Sequence, residues 1–193
     1  DMELSVARIV IMFVLGGGML LAWLALCMFL FHAFRQKTQH AADRRQGPEP
    51  MGQPVQIRGF SPADKPIASS ARWDGSELVV QSNEAATKCL FDAVLQDVDQ
   101  CMLTYRFRIK TDNLARAVYP EMWCRIPERG QFFSRGLRSK VRGTNDWVEV
   151  KIPFFLEHGQ AADRLQLNLI FEGAGVVRMK EIEILLTQVK PAK

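Results

Sequence analysis

Two hydrophobic rhythms divide the chain. From Ile9 to Phe34 apolar residues run on without a charge, and Leu, Ile, Val, Met and Phe fill most positions. At about 1.5 Å of rise per residue this run reaches roughly 39 Å as a helix, enough to cross a hydrocarbon core of about 30 Å. Lipid offers no partner for open backbone groups, so the run is expected to form one transmembrane helix. A cleaved signal peptide would have a shorter apolar core and a small-residue exit. Here the bulky stretch Phe29-Leu30-Phe31-His32-Ala33-Phe34 closes the run, which favours a retained anchor.

After Ala71 the period falls to two. Glu77–Gln81 follows the turn signal Asp74-Gly75, and Thr87–Leu95 is a second apolar stretch. Met102–Lys110 alternates cleanly, with Leu103, Tyr105, Phe107 and Ile109 on one face and Thr104, Arg106, Arg108 and Lys110 on the other. Val118–Ile126, Val148–Ile152, Leu165–Phe171 and Val176–Leu186 repeat the pattern, and Leu165, Leu167, Leu169, Ile182 and Ile184 join the inward set. Seven or so short strands with Gly, Asn, Asp and Pro turns, and no amphipathic helix between them, predict an antiparallel β-sandwich. Between the two rhythms lie Gly47-Pro48-Glu49-Pro50 and Pro54, Pro62 and Pro66, an extended and semi-rigid composition. The expected organisation is a tail over 1–8, a transmembrane helix over 9–34, a basic then Pro-rich linker over 35–66 and a β-sandwich over 67–190.

Bulk numbers narrow the classes. Of 193 residues, some 140 remain for the folded domain, a usual size for one core. The formal charge of +4 is too mild to point to nucleic acid. Arg35, Lys37, Arg44 and Arg45 outweigh Asp43 on one flank of the span, while Asp1 and Glu3 outweigh Arg8 on the other. The positive-inside rule then places the C-terminal domain in the cytoplasm, on an inner (cytoplasmic) membrane, with a periplasmic domain as the alternative. Cys27 lies in the span; Cys89, Cys101 and Cys124 show neither disulfide-framework nor zinc spacing, so buried reduced thiols are expected.

Two segments carry a resemblance. Gly143-Thr144-Asn145-Asp146-Trp147 leads into the strand Val148-Glu149-Val150-Lys151-Ile152, and Leu165–Phe171 runs into the turn Gly173-Ala174-Gly175. This arrangement resembles the C-terminal half of galactose-binding-domain-like jelly rolls, the fold of many carbohydrate-binding modules. The resemblance spans about residues 72–186 and implies a jelly-roll sandwich that binds sugars or docks a partner. Where such domains often place an aromatic residue and paired aspartates in the last strand, this chain has Val177, Arg178, Met179, Lys180 and Glu181. No calcium site is carried over.

Catalytic chemistry is not signalled. There is no nucleophile elbow, phosphate loop or dinucleotide fingerprint. His32, His40 and His158 are scattered, and Glu181 and Glu183 read as an exposed strand face rather than an acid–base pair. No cofactor and no metal are expected. Three surfaces remain. Glu121, Trp123 and Arg125 point outward from their strand, as do Arg106, Arg108, Gln166 and Asn168 from theirs. If these strands are neighbours, they form a Trp platform among polar groups, suited to a sugar ring or a protein. The loop Gln131–Arg138, with Phe132, Phe133, Arg135 and Arg138, suits lipid headgroups or an acidic partner. Gly16-Gly17-Gly18 makes a notch where another helix can approach within the membrane.

The reading that follows is a non-catalytic, single-pass accessory subunit of a larger membrane complex, respiratory or photosynthetic complexes being examples. Its partners would be other subunits and the bilayer. The alternative is a membrane-anchored glycan-binding module whose domain faces the periplasm or exterior.

Overall fold

The computed structural model describes residues 49–96 and 98–190. The expected transmembrane helix, its glycine notch and its basic flank lie outside the described residues. Among the described residues nine strands follow in order: β1 Pro50–Phe60, β2 Ala71–Asp74, β3 Glu77–Ser82, β4 Ala86–Val94, β5 Cys101–Ile126, β6 Gly130–Arg135, β7 Val141–Phe155, β8 Arg164–Phe171 and β9 Gly175–Val189. Every pairing among them is antiparallel. No helix among the described residues is long and apolar enough to cross a membrane.

The organising element is β5, 26 residues long. Its first half, Cys101–Thr111, pairs with β9 on one side and β7 on the other. Its second half, Val118–Arg125, pairs with β8, and Glu121–Ile126 pairs with β6. Between the halves the register slips repeatedly, and Asn113 turns into the left-handed region at φ 47°. Asn is among the residues that tolerate that conformation, and the Asn113 backbone N–H donates to Thr144 Oγ1 at 2.9 Å. The strand thereby passes from one layer of the sandwich to the other. The first layer is β2–β3–β9–β5–β7 with β1 alongside β9; the second is β4–β8–β5–β6.

Period-two alternation supplies the core between the layers. Leu103, Tyr105, Phe107, Leu165, Leu167, Leu169, Ile182 and Ile184, the residues expected inside, are all at most 2% exposed. Aromatic contacts join the layers: Phe60 of β1 stacks on Phe91 of β4 with centroids 4.4 Å apart, and Trp73 of β2 lies 6.2 Å from the same ring.

Three elements differ from expectation. Pro50–Phe60, expected within the linker, is extended but hydrogen-bonded to β9, with Gly52 at φ 79° at one of its irregularities. Gln131–Arg138, expected as a loop, largely forms β6, turned back on β5 through Glu128 and Gly130, both at positive φ. Met102–Lys110 and Val118–Ile126, expected as separate strands, are one strand.

Candidate functional site

The outward face of the second layer gathers most of the singled-out residues. In the second half of β5, Met122, Cys124 and Ile126 fill the core, so Glu121, Trp123 and Arg125 face away from it. Leu165, Leu167 and Leu169 of β8 likewise face inward and send Arg164, Gln166 and Asn168 out. The register then builds three rows across β4, β8, β5 and β6. They run Cys89–Asn168–Glu121–Arg135, Asp92–Gln166–Trp123–Phe133, and Val94–Arg164–Arg125–Gln131.

Glu121 is the anchor of this face. It lies on the outward side yet is only 2% exposed. Its Oε1 accepts the Trp123 indole N–H at 2.7 Å and the Asn168 amide at 3.1 Å, and its Oε2 accepts Arg135 Nε. Gln166 donates in turn to Asn168 Oδ1 at 3.0 Å. Burial works against an ionised carboxyl here. Hydrogen bonds from Arg135, Trp123 and Asn168 and the charge of Arg135 outweigh it, and Glu121 is held below 4.5.

That bond sets the attitude of the indole. Residues two apart on a strand are separated by about 6.6 Å, so the bond to Glu121 ties the Trp123 ring toward its neighbour two positions back on β5. Phe133 packs against it, with centroids 4.9 Å apart and planes at 42°. The Arg135 guanidinium sits 4.7 Å from the Phe133 ring centroid while bonding Glu121. Trp123 stays half-buried and Phe133 is 50% exposed, so aromatic surface lies open beside the half-exposed Gln166 amide of β8.

The structure separates other residues from this face. Arg106 and Arg108 belong to the first half of β5 and hence to the other layer. There Arg106 Nε bonds Glu183 at 2.7 Å, and Arg108 Nη2 bonds the Trp147 carbonyl at 2.9 Å. The supposition that one sheet face holds them together with Trp123 is therefore corrected, because the strand changes layer between them. The expected pair of aligned carboxylates is also split: Glu183 is taken by Arg106, and Glu181 sits at φ 51° where the β5–β9 register slips.

The supposed lipid-facing loop divides as well. Phe133 and Arg135 belong to the Trp123 face. Phe132 points to the opposite side of β6, 43% exposed, and Arg138 lies exposed beyond the strand. Sequence reasoning missed Asp92, Asp163 and Arg164. Asp163 binds Arg125 through both oxygens, at 2.8 and 2.7 Å, and Arg164 pairs with Asp92. The signal for β6 was present: Pro127-Glu128-Arg129-Gly130 is a hairpin turn that brings Phe133 opposite Trp123. Of the three cysteines among the described residues, Cys101 and Cys124 are buried, and Cys89 is half-buried on the face itself.

The chain matches no protein-family model and none of the curated proteins. Among solved structures its neighbours include carbohydrate-binding modules, the class its motifs resemble. The CBM22-1 xylan-binding domain of Paenibacillus barcinonensis Xyn10C is 14% identical, with 76% of this chain and 89% of that one covered, at a TM-score of 0.44. The xylan-binding module CBM15 is 8% identical, with 74% of this chain and 100% of that one covered, at 0.43. A chain of the infectious bursal disease virus Gt strain is 13% identical, with 72% and 39% covered, also at 0.43. Likeness this loose, spread over proteins this different, is a likeness of sandwich fold and carries no function.

Proposed function

We propose that the outward face of β4–β8–β5–β6 binds a glycan, and that the chain is a non-catalytic carbohydrate-binding module anchored in a membrane by residues 9–34. The observation that carries this is the Trp123 indole held in place by its bond to buried Glu121, beside half-exposed Phe133. A pyranose presents a flat C–H face that packs on an aromatic ring, and a rim of hydroxyls that bond planar amides and guanidiniums. Half-exposed Gln166 and the part-exposed guanidiniums of Arg125 and Arg135 border the ring with such groups, while Asn168, 1% exposed, stays within the Glu121 network. A ring fixed before binding loses little freedom on contact.

Glu121 is suited to hold this ring rather than to transfer a proton. Three donors already engage it and its carboxyl is depressed, whereas a general acid needs a raised one. For the accessory-subunit reading the described residues offer no comparable feature. Glycan binding puts the domain in the periplasm or outside, against the orientation expected from Arg35, Lys37, Arg44 and Arg45. An impermeant thiol or protease probe on intact cells should therefore reach the domain.

The direct test is affinity electrophoresis of the full chain in mild detergent through gels containing soluble polysaccharides. At least one polysaccharide should retard it. Trp123→Ala should weaken that retention by an amount on the order of 2 kcal/mol, roughly 30-fold. Retention unchanged in the variant, or no retention by any polysaccharide, would remove this function.

A further inference from the structure

Among the described residues the outward face of this layer carries three guanidiniums, and each is paired with a carboxylate. A bare arginine on a sugar-binding face recruits carboxylated or sulfated sugars, because its planar fork fits an oxyanion bidentately. Arg125 has one edge of its fork engaged and its charge balanced: Nε and Nη2 donate to the two oxygens of Asp163 at 2.8 and 2.7 Å. Arg135 donates to Glu121 and lies over the Phe133 ring. Arg164 is paired with Asp92. Three cations meet three anions, so the formal charge of this cluster is zero.

The pairing is built into the backbone. The Asp163 N–H donates to the Arg125 carbonyl at 3.1 Å, and the Asp163 carbonyl accepts the Leu95 N–H at 2.9 Å. The carboxylate is thus delivered to Arg125 by main-chain bonds on both sides of its own residue. The register also sets Arg125 opposite Arg164, a cross-strand pair of like charges that repels unless each has its own acid. Asp163 and Asp92 flank that pair. An incoming sugar carboxylate would have to displace one of these acids or sit beside it.

We infer that the face selects uncharged glycans, and that Asp163 and Asp92 are the residues that set this selectivity by balancing the charges of Arg125 and Arg164. The inference rests on the glycan-binding reading and adds the charge class of the ligand. Arg125 holds the Asp163 carboxyl below its ordinary value, so the barrier to anionic sugars persists into mildly acidic solution.

The test uses the full chain in detergent, with hydroxyethyl-cellulose, xylan and galactomannan as neutral probes and polygalacturonate and dextran sulfate as anionic ones. Wild type should be retarded by at least one neutral polymer and by neither anionic one at about 50 mM salt, where surface charge acts over more than 10 Å. Asp163→Asn and, separately, Asp92→Asn should each gain polygalacturonate binding, about tenfold or more, and lose that gain at about 0.5 M salt. Thermal melts confirm that each variant is folded, and either one alone decides the matter if the other is not. Wild type that binds an anionic polymer as well as any neutral one overturns the selectivity and leaves glycan binding standing. Neutral binding without a gain in a folded variant overturns the role of the two acids. Wild type that binds no polymer removes glycan binding and the selectivity with it.

Discussion

Glu121→Gln tests the anchor of the candidate site. The amide is the same size as the carboxylate, so packing is preserved and only the electrostatics change. One amide oxygen can still accept from Trp123 and Asn168, but the NH2 group now faces Arg135 Nε, a donor against a donor. A charge-assisted hydrogen bond is worth about 1.5–3 kcal/mol, and a buried group left unpaired adds to its loss. Arg135 is 45% exposed on its side chain, so water recovers part of what it loses, and the net cost falls near 2 kcal/mol. For a domain of this size that is a drop in melting midpoint of roughly 6–8 °C near pH 7.

The same substitution has a pH signature. The folded-state carboxyl of Glu121 lies below 4.5, so its stabilisation is fully present above the unfolded-state value and is lost as pH falls through the folded-state value. The gap between wild type and Glu121→Gln should hold steady from about pH 7 to 5 and then close in stronger acid, where wild type too loses its charge. Differential scanning calorimetry across this range reads both features. A gap under about 2 °C near pH 7, or one that stays constant into acid, would refute the reasoning that Glu121 is an ionised, buried anchor.

Gly136→Ala should destabilise by about 1–3 kcal/mol in chemical denaturation, because its Cβ would meet Pro120 Cγ at 2.7 Å and Ile152 Cγ2 at 2.8 Å. Tyr105→Phe removes a buried hydroxyl that has no hydrogen-bond partner among the described residues, so equilibrium unfolding should show unchanged stability or a gain of up to about 1 kcal/mol. Burial pushes the Cys101 thiol up to about 11 and the Cys124 thiol up to about 12. Ellman's reagent near pH 8 should therefore leave both unlabelled until denaturant is added.

What the sequence made legible follows from what period two encodes. Alternation says which side of its own strand a residue faces, so the inward sets of β5, β8 and β9 were readable and are buried. It says nothing about which layer that strand occupies. Arg106 and Trp123 are of opposite parity along β5, yet both face away from the core, because the slips between Ile109 and Val118, with Asn113 at positive φ, change the phase of the strand and send its two halves to different layers. The cue was local and visible as Thr111-Asp112-Asn113, where the apolar alternation fails, but its consequence is tertiary. The acids of the site were hidden for the opposite reason. Asp163 and Asp92 sit 38 and 72 residues from the arginines they bind, and nothing in either stretch marks them until β8 is laid between β4 and β5. The face that one strand proposed with Trp123 is completed by neighbours on three others, and its charge balance is a property of the register rather than of any motif. For that reason the selectivity experiment bears on the pairing of strands as much as on the ligand: only this register makes Asp163 and Asp92 the residues whose neutralisation uncovers a cation.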